Sequence, residues 1–133
     1  TQVNTAVFAS LTAQDFVTVL CAITHDKHGQ LLNTNADTIA AQVAMAMSKE
    51  YDVTRFYCFE HAGVLKDINK PEDVIGELSK EATENYTAAG VIHQGMVPKL
   101  HNGFDALQNG VKKVVVSNVA ALLDKNAPKT TLI

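Results

Sequence analysis

The chain has 133 residues, 47% of them apolar and 19% charged, with a formal net charge of −3. That is ordinary globular composition, long enough for one domain with one modest core. Acids and bases are interspersed and the apolar runs are short, so neither a nucleic-acid footprint nor a membrane span is indicated.

Residues 3–11 space Val3, Val7, Phe8 and Leu11 as a helix does, with Asn4 or Thr5 as cap. Residues 16–23 form a continuous apolar, β-branched run and predict a buried strand. The polar residues 24–30, with Gly29 near their end, predict a hairpin turn, and Leu31 and Leu32 start the returning strand. A largely buried helix is expected over residues 36–47, beginning just after Asn35. Residues 53–59 predict a strand apolar on both faces, as in parallel sheets. A loop at 63–69 leads through Pro71, and Ser79 opens a helix that Gly90 closes. The next helix runs from about Gly95 to Asn109-Gly110, with Pro98 tolerable only in its first turn. A strand at 111–117, a short helix at 119–123 and a last strand at 130–133 complete the order. Strands alternating with helices predict an α/β domain, three layers with a mainly parallel sheet and helices on both faces, plus a β-hairpin. Cys21 and Cys58 sit in apolar runs and read as buried free thiols. No leader-like series is visible at the start, and a cytoplasmic protein is expected. The chain opens at Thr1 and moves directly into a helical pattern, as an excised or processed fragment does and as a chain whose initiator Met has been removed also does.

The densest polar cluster is Asn33-Thr34-Asn35-Ala36-Asp37-Thr38. It lies where a strand ends and a helix begins, which is where open α/β sheets bind ligands and where a helix offers free N–H groups. Asn33 and Asn35 alternate in extended backbone and could grip one substrate; equally, Asn35 or Asp37 could simply cap the helix. In Gly95-Met96-Val97-Pro98-Lys99 an ammonium would sit beside a helix N-terminus, an arrangement that makes better sense with an anion between the two. It could also be a solvated surface lysine. Residues 59–65 form a strand end breaking at Gly63, a plausible nucleotide loop and a common kind of turn. His25, Asp26 and His28 lack a fourth ligand at fixed spacing, so a metal site is not expected. No P-loop and no Gly-x-Ser-x-Gly elbow occurs.

Taken together, residues 31–41, with Asn33-Thr34-Asn35-Ala36-Asp37, resemble the N-x-N-A-D segment of acetylglutamate kinases, members of the amino acid kinase family. Residues 56–67 resemble the strand and nucleotide loop that follow it, and residues 90–100 resemble the G-(V/I)-I-x-x-G-M-(V/I)-x-K segment. The three stand in the right order over nearly the whole chain. Cys58-Phe59-Glu60 resembles the Bacteroidetes branch, some members of which are thought to use succinylated glutamate.

The resemblance implies phosphoryl transfer from MgATP to the side-chain carboxylate of N-acetyl- or N-succinyl-glutamate, an early step of arginine biosynthesis. By the match, Lys99 would stabilise charge on the moving phosphoryl group and Asp37 would orient catalytic lysines. Asn33 would hold the acyl-amino acid, supported by Asn35. Glu60, His61, Ala62, Gly63, Val64 and Leu65, with Val91, Ile92, His93 and Met96, would line the adenine and ribose site. Mg2+ would arrive on the nucleotide rather than in a protein site. Three departures touch these roles: Glu60 and Phe59 replace the usual aspartate and hydroxyl, residues 48–54 are longer than is common, and Lys129-Thr130 replaces a glycine-threonine pair. The family's N-terminal half, with its acyl-substrate and dimer surfaces, has no counterpart in these residues. Residues 1–133 are therefore expected to be a single nucleotide-binding domain, inactive alone and prone to self-association, from an enzyme that is a homo-oligomer when complete. The competing expectations are a non-catalytic nucleotide-binding or regulatory module, or another member of the superfamily.

Overall fold

In the computed structural model, which describes residues 2–93 and 95–133, the elements run as follows. Helix α1 (Thr5–Thr12) precedes a hairpin of β1 (Ile23–His25) and β2 (Leu31–Asn33). Then come α2 (Ala36–Met47), β3 (Thr54–Cys58), β4 (Glu77–Leu78), α3 (Lys80–Ala88), α4 (Val97–Gln108), β5 (Lys113–Ser117), α5 (Ala120–Leu123) and β6 (Thr130–Leu132).

Capping sets the helix boundaries. Asn4, Asn35 and Ser79 each accept a hydrogen bond from the backbone N–H three residues on, at 3.4, 3.1 and 3.1 Å. Each such cap contributes about 1 kcal/mol. Gly90 and Gly110, at φ 73° and 96°, end α3 and α4 in the left-handed region that glycine adopts freely. Pro98 falls in the first turn of α4, where its missing N–H costs nothing.

The main sheet has the order β3-β5-β6-β4. β3 runs parallel to β5, β5 antiparallel to β6, and β4 parallel to β6. It is therefore a mixed sheet with helices packed on it, an α/β arrangement as expected. β5 is its central strand, with residues Val114, Val115, Val116 and Ser117 all buried. Against it lies α4, whose Leu100, Gly103, Phe104 and Ala106 are buried. A Cβ on Gly103 would stand 2.6 Å from Leu132 Cδ1 and 3.2 Å from Val114 Cγ1, so helix and sheet approach as closely as they do because that side chain is a hydrogen. The hairpin pairs separately, and its turn is held by Asp26, whose carboxylate accepts from the N–H groups of His28 and Gln30 at 2.7 and 3.1 Å. Lys27 and Gly29 take positive φ there.

Several expectations give way. The apolar run 16–23 is not a buried strand: only Ile23 joins β1, while Phe16, Val17, Val19 and Leu20 are 61, 91, 90 and 47% exposed. Its composition suits burial, but among the described residues no strand lies alongside residues 16–22. Cys21 and Cys58 are free thiols but exposed rather than buried. Cys58 is exposed because β3 is an edge strand with one covered face: Arg55 and Tyr57 point inward, Thr54 and Cys58 outward. In α2 only Ala41 and Ala44 are buried, since the packing partner the contacts show for its core-facing side is α4. The two-residue β4 was too short for periodicity to reveal. Among the described residues no helix is long and apolar enough to cross a membrane.

Tyr57 is 6% exposed, its hydroxyl has no hydrogen-bond partner, and burial pushes its pKa up to about 12. Because the neutral phenol is the form favoured in the fold, its contribution to stability is complete below the reference value of 10.0 and is lost as pH rises through about 12. Ultraviolet titration should show a tyrosinate band with a midpoint near 12 that Tyr57→Phe removes. Since that hydroxyl is unpaired, Tyr57→Phe should leave thermal stability unchanged or raise it by about 1 kcal/mol. Gly103→Val should lower the stability measured in urea by about 1–3 kcal/mol, by forcing α4 off the sheet.

Candidate nucleotide and phosphoryl site

The site is built at the end of the sheet where β3 and β5 finish. β6 runs the opposite way, so its first residue, Thr130, arrives at the same end, opposite Val116. The segment 59–76 leaves β3 and folds across these ends. Phe59 N–H donates to Ser117 O at 2.8 Å, extending the β3–β5 pairing by one step. Beyond it, two fully buried hydroxyls hold the loop. Thr130 Oγ1 accepts from Val64 N–H at 2.8 Å and donates to Ile75 O at 2.6 Å. Ser117 Oγ shares its proton between the carbonyls of Ala62 and Pro128, at 3.1 and 3.0 Å. Gly63 packs so tightly here that a Cβ would stand 2.6 Å from Thr130 Oγ1 and 2.7 Å from Val74 Cγ1. A side chain at position 63 cannot coexist with this loop path.

Under the loop lies a pocket of about 230 Å3, lined by His61, Gly63, Val64, Leu65, Ile68, Val91, Ile92, His93 and Met96. The structure thus brings together eight of the ten residues that the sequence nominated for a nucleotide, from two segments 26 positions apart at their nearest (Leu65 and Val91). Glu60 and Ala62 are not among its walls: Glu60 is exposed and the Ala62 carbonyl is bonded to Ser117. Ile68 is an addition, and its only sequence signal was an apolar residue alone in a polar loop. The walls are mostly apolar with two imidazoles, which suits a flat heteroaromatic ring and its sugar. A larger hollow of about 730 Å3, bordered by Gln2, Gln42, Lys49, Glu50, Asp105 and Asn109, contains none of the nominated residues and lies away from the strand ends.

Beside the pocket, Lys99 Nζ donates to Asp37 Oδ2 at 2.6 Å, with both side chains about one-third exposed (32 and 29%). Asp37 stands in the first turn of α2 and Lys99 in the first turn of α4, and these two helices pack together. An ammonium at a helix N-terminus is unfavourable by itself; here the carboxylate of Asp37 offsets it. Lys99 Nζ also lies 5.6 Å from the Phe59 ring centroid, two residues before His61 of the pocket wall. The pair and the pocket are therefore neighbours.

Behind the pair sits Arg55, 6% exposed, which the sequence reading did not single out. Its signal was a lone charge in an apolar strand. The guanidinium donates to Asp37 O at 2.9 Å and to Asn102 O at 3.4 Å, and lies 4.1 Å from the Tyr57 ring centroid. Burial lowers its pKa from the usual value, partly opposed by Tyr57 and Asp37. The two amides do different things. Asn35 uses its side chain to cap α2, the plainer of its two expected roles, whereas Asn33 is exposed at the end of β2. Thr34, between them, bonds its hydroxyl to that of Thr24 across the hairpin at 2.7 Å. Among the described residues no group of three or more His, Cys, Asp or Glu is placed to hold a metal ion.

A sequence profile of the amino acid kinase family matches residues 1–118. The acetylglutamate kinase of Parabacteroides distasonis is 46% identical over 121 residues, which is 91% of this chain and 48% of that protein. That of Bacteroides thetaiotaomicron is 44% identical over 128 residues, 96% of this chain and 50% of the relative. The chain spans about half the length of the curated relatives it matches, consistent with their C-terminal half. Among solved structures, the Streptococcus mutans UA159 protein smu.665 superposes with a TM-score of 0.73 at 25% identity, covering 90% of this chain and 46% of that one. An N-acetylglutamate synthase from Neisseria gonorrhoeae gives 0.74 at 19% identity over 99% of this chain and 31% of its own, a likeness of fold alone. With the profile covering most of its length, the chain belongs to the amino acid kinase family.

Proposed function

We propose that the chain is the C-terminal, nucleotide-binding half of an N-acylglutamate kinase. The observation that carries this reading is the convergence of the pocket under Gly63 and the Asp37–Lys99 pair at one end of the sheet, within a chain 46% identical to an acetylglutamate kinase.

In this reading adenine and ribose lie against Val64, Leu65, Val91, Ile92 and Met96, with His61 and His93 at hand for polar contacts. The triphosphate extends past Phe59 toward Lys99. The acceptor is a side-chain carboxylate, ionised near pH 7 because its reference pKa is about 4.3, so no general base is needed. One of its oxygens forms a bond to the γ-phosphorus as the bond from that phosphorus to the β–γ bridging oxygen breaks. ADP leaves, and an acyl phosphate forms. Catalysis then rests on position and charge. Lys99 stabilises the negative charge on the transferring group, and Asp37 holds the ammonium where that charge develops. Mg2+, carried by the nucleotide, supplies further neutralisation of the phosphates. Asn33, exposed beside the start of α2, contacts the acylated amino acid, while Asn35 supports it by fixing the helix start. The remaining acyl-substrate contacts come from the other half of the enzyme, which also provides the subunit interface of a homo-oligomer.

Calorimetric titration with MgADP tests the pocket. The chain should bind, and Ile68→Asp, which puts a charge on a half-exposed wall, should weaken binding at least about tenfold without unfolding the domain, the equivalent of about 1.4 kcal/mol. Gly63→Val should abolish binding by displacing the loop. A folded chain that ignores MgADP, or binds it equally well with Ile68→Asp, would remove the pocket from the reading. Trapping of acyl phosphate with hydroxylamine tests the half-enzyme claim: the chain alone, given MgATP and acetyl- or succinyl-glutamate, should give no product above blank. Turnover would show that these residues suffice.

A further inference from the structure

Among the described residues Arg55 is the only buried charged side chain, and it forms no ion pair. Burying a cation without a carboxylate is costly, so a fold that keeps one near the start of its edge strand has it answering some demand. Its contacts say which. One hydrogen bond ends on the carbonyl of Asp37 itself, in α2; the other ends on the carbonyl of Asn102, one turn beyond Lys99 in α4. The Tyr57 ring supports the guanidinium from one face. The same group therefore grips both helices that carry the ion pair, at the backbone, within a turn of each charged residue. It also changes the local charge. Asp37 and Lys99 alone would cancel; with Arg55 the cluster holds two cations and one carboxylate.

We propose that Arg55 is a positioning residue for the Asp37–Lys99 pair, fixing the separation of α2 and α4 at which that pair closes and leaving the cluster with a surplus positive charge, so that the Lys99 ammonium stays available to an anionic phosphoryl group. The purpose of this arrangement rests on the phosphoryl-transfer reading above, although the geometry does not. Arginine suits the task where lysine would not: a planar fork reaches two carbonyls on different helices at once and stacks on an aromatic face.

Ammonium-selective nitrogen NMR of the chain, with the Lys99 signal identified by its loss in Lys99→Arg, reads the pair directly. In the parent chain that signal should show slow exchange with water. In Arg55→Met it should move toward the position of a solvated lysine and exchange at least about threefold faster, while Lys66 and Lys112, in exposed pairs with Asp73 and Asp52, do not change. Arg55→Lys, which keeps the charge without the fork, should fall between. A folded Arg55→Met with an unchanged Lys99 signal overturns the proposal, even if its melting temperature drops, because a purely structural arginine predicts that result. Should Arg55→Met fail to fold, Arg55→Gln and Arg55→Lys decide by the same criterion. Inorganic pyrophosphate then probes the surplus charge. It should perturb Lys99 in the parent and in Arg55→Lys, and at least about tenfold more weakly in the neutral variants. Equal perturbation in all of them, or none in the parent, overturns the charge role. None of these readouts involves the adenine pocket, so a failure to bind MgADP and a failure of Arg55 are separable.

Discussion

A single hydroxyl, Thr130 Oγ1, stands between a backbone amide and a backbone carbonyl of the same loop, and the pocket depends on it. Val64 N–H and Ile75 O belong to residues that are themselves buried, where an unpaired polar group would cost about 1–3 kcal/mol. Thr130 satisfies both with one oxygen, donor to one and acceptor from the other. The hydroxyl can lie so near the chain only because residue 63 has no side chain. Position 130 is in turn fixed by β6, which pairs with β5 along its buried residues Val114 to Val116. The loop is thus tied to the interior strands of the sheet by satisfied hydrogen bonds to Thr130 and Ser117, close to the lining residues His61, Gly63, Val64 and Leu65. A pocket wall supported in this way would need little ordering on taking up a ligand, which would reduce the entropic cost of association.

The charged part of the site obeys a different logic. Asp37 and Lys99 are about one-third exposed, and an ion pair so placed contributes little to stability. Its significance is local: two helix N-termini point into the same region, both favouring negative charge, and a carboxylate and an ammonium have been set there as a matched pair. Beneath them lies the buried Arg55, bonded to helix carbonyls rather than to side chains, so it acts on the helices as bodies. Apolar packing between α2 and α4 brings the helices together, and directional hydrogen bonds then set their register.

Much of this was legible in the residues because local signals agreed with the tertiary outcome. Asn35 and Ser79 announce helix starts, Gly90 and Gly110 announce helix ends, and the apolar core of β5 reads as a strand. The pocket walls were legible through resemblance, since no periodicity links residue 63 to residue 92. What could not be read depends on neighbours. The run 16–20 has the composition of an interior strand, but burial is a property of what lies alongside, and nothing in a run of valines says whether a partner is there. Cys58 failed for the same reason on a smaller scale: alternation told which residues share a face of β3, not that one face would be left uncovered. Arg55 was missed because a charge inside an apolar strand reads as an interruption until its carbonyl partners, 18 and 47 positions away, are brought to it.

The bridge from Val64 to Thr130 spans 66 positions, and this has a consequence for the order of events during synthesis. Helices α2 and α3 and the hairpin close over short stretches and can form as soon as they are made. The loop over the pocket cannot: its amide and carbonyl wait for β6, and β6 waits for β5 to provide an edge. Long-range closure of this kind comes late in folding, because the entropy of the intervening chain must be surrendered before any contact rewards it. A ribosome that has finished residue 120 has therefore made every residue that lines the pocket without making the pocket. Until the strand containing Thr130 emerges, the polar backbone of residues 63–75 remains in water, and the nascent domain has a sheet edge but no pocket.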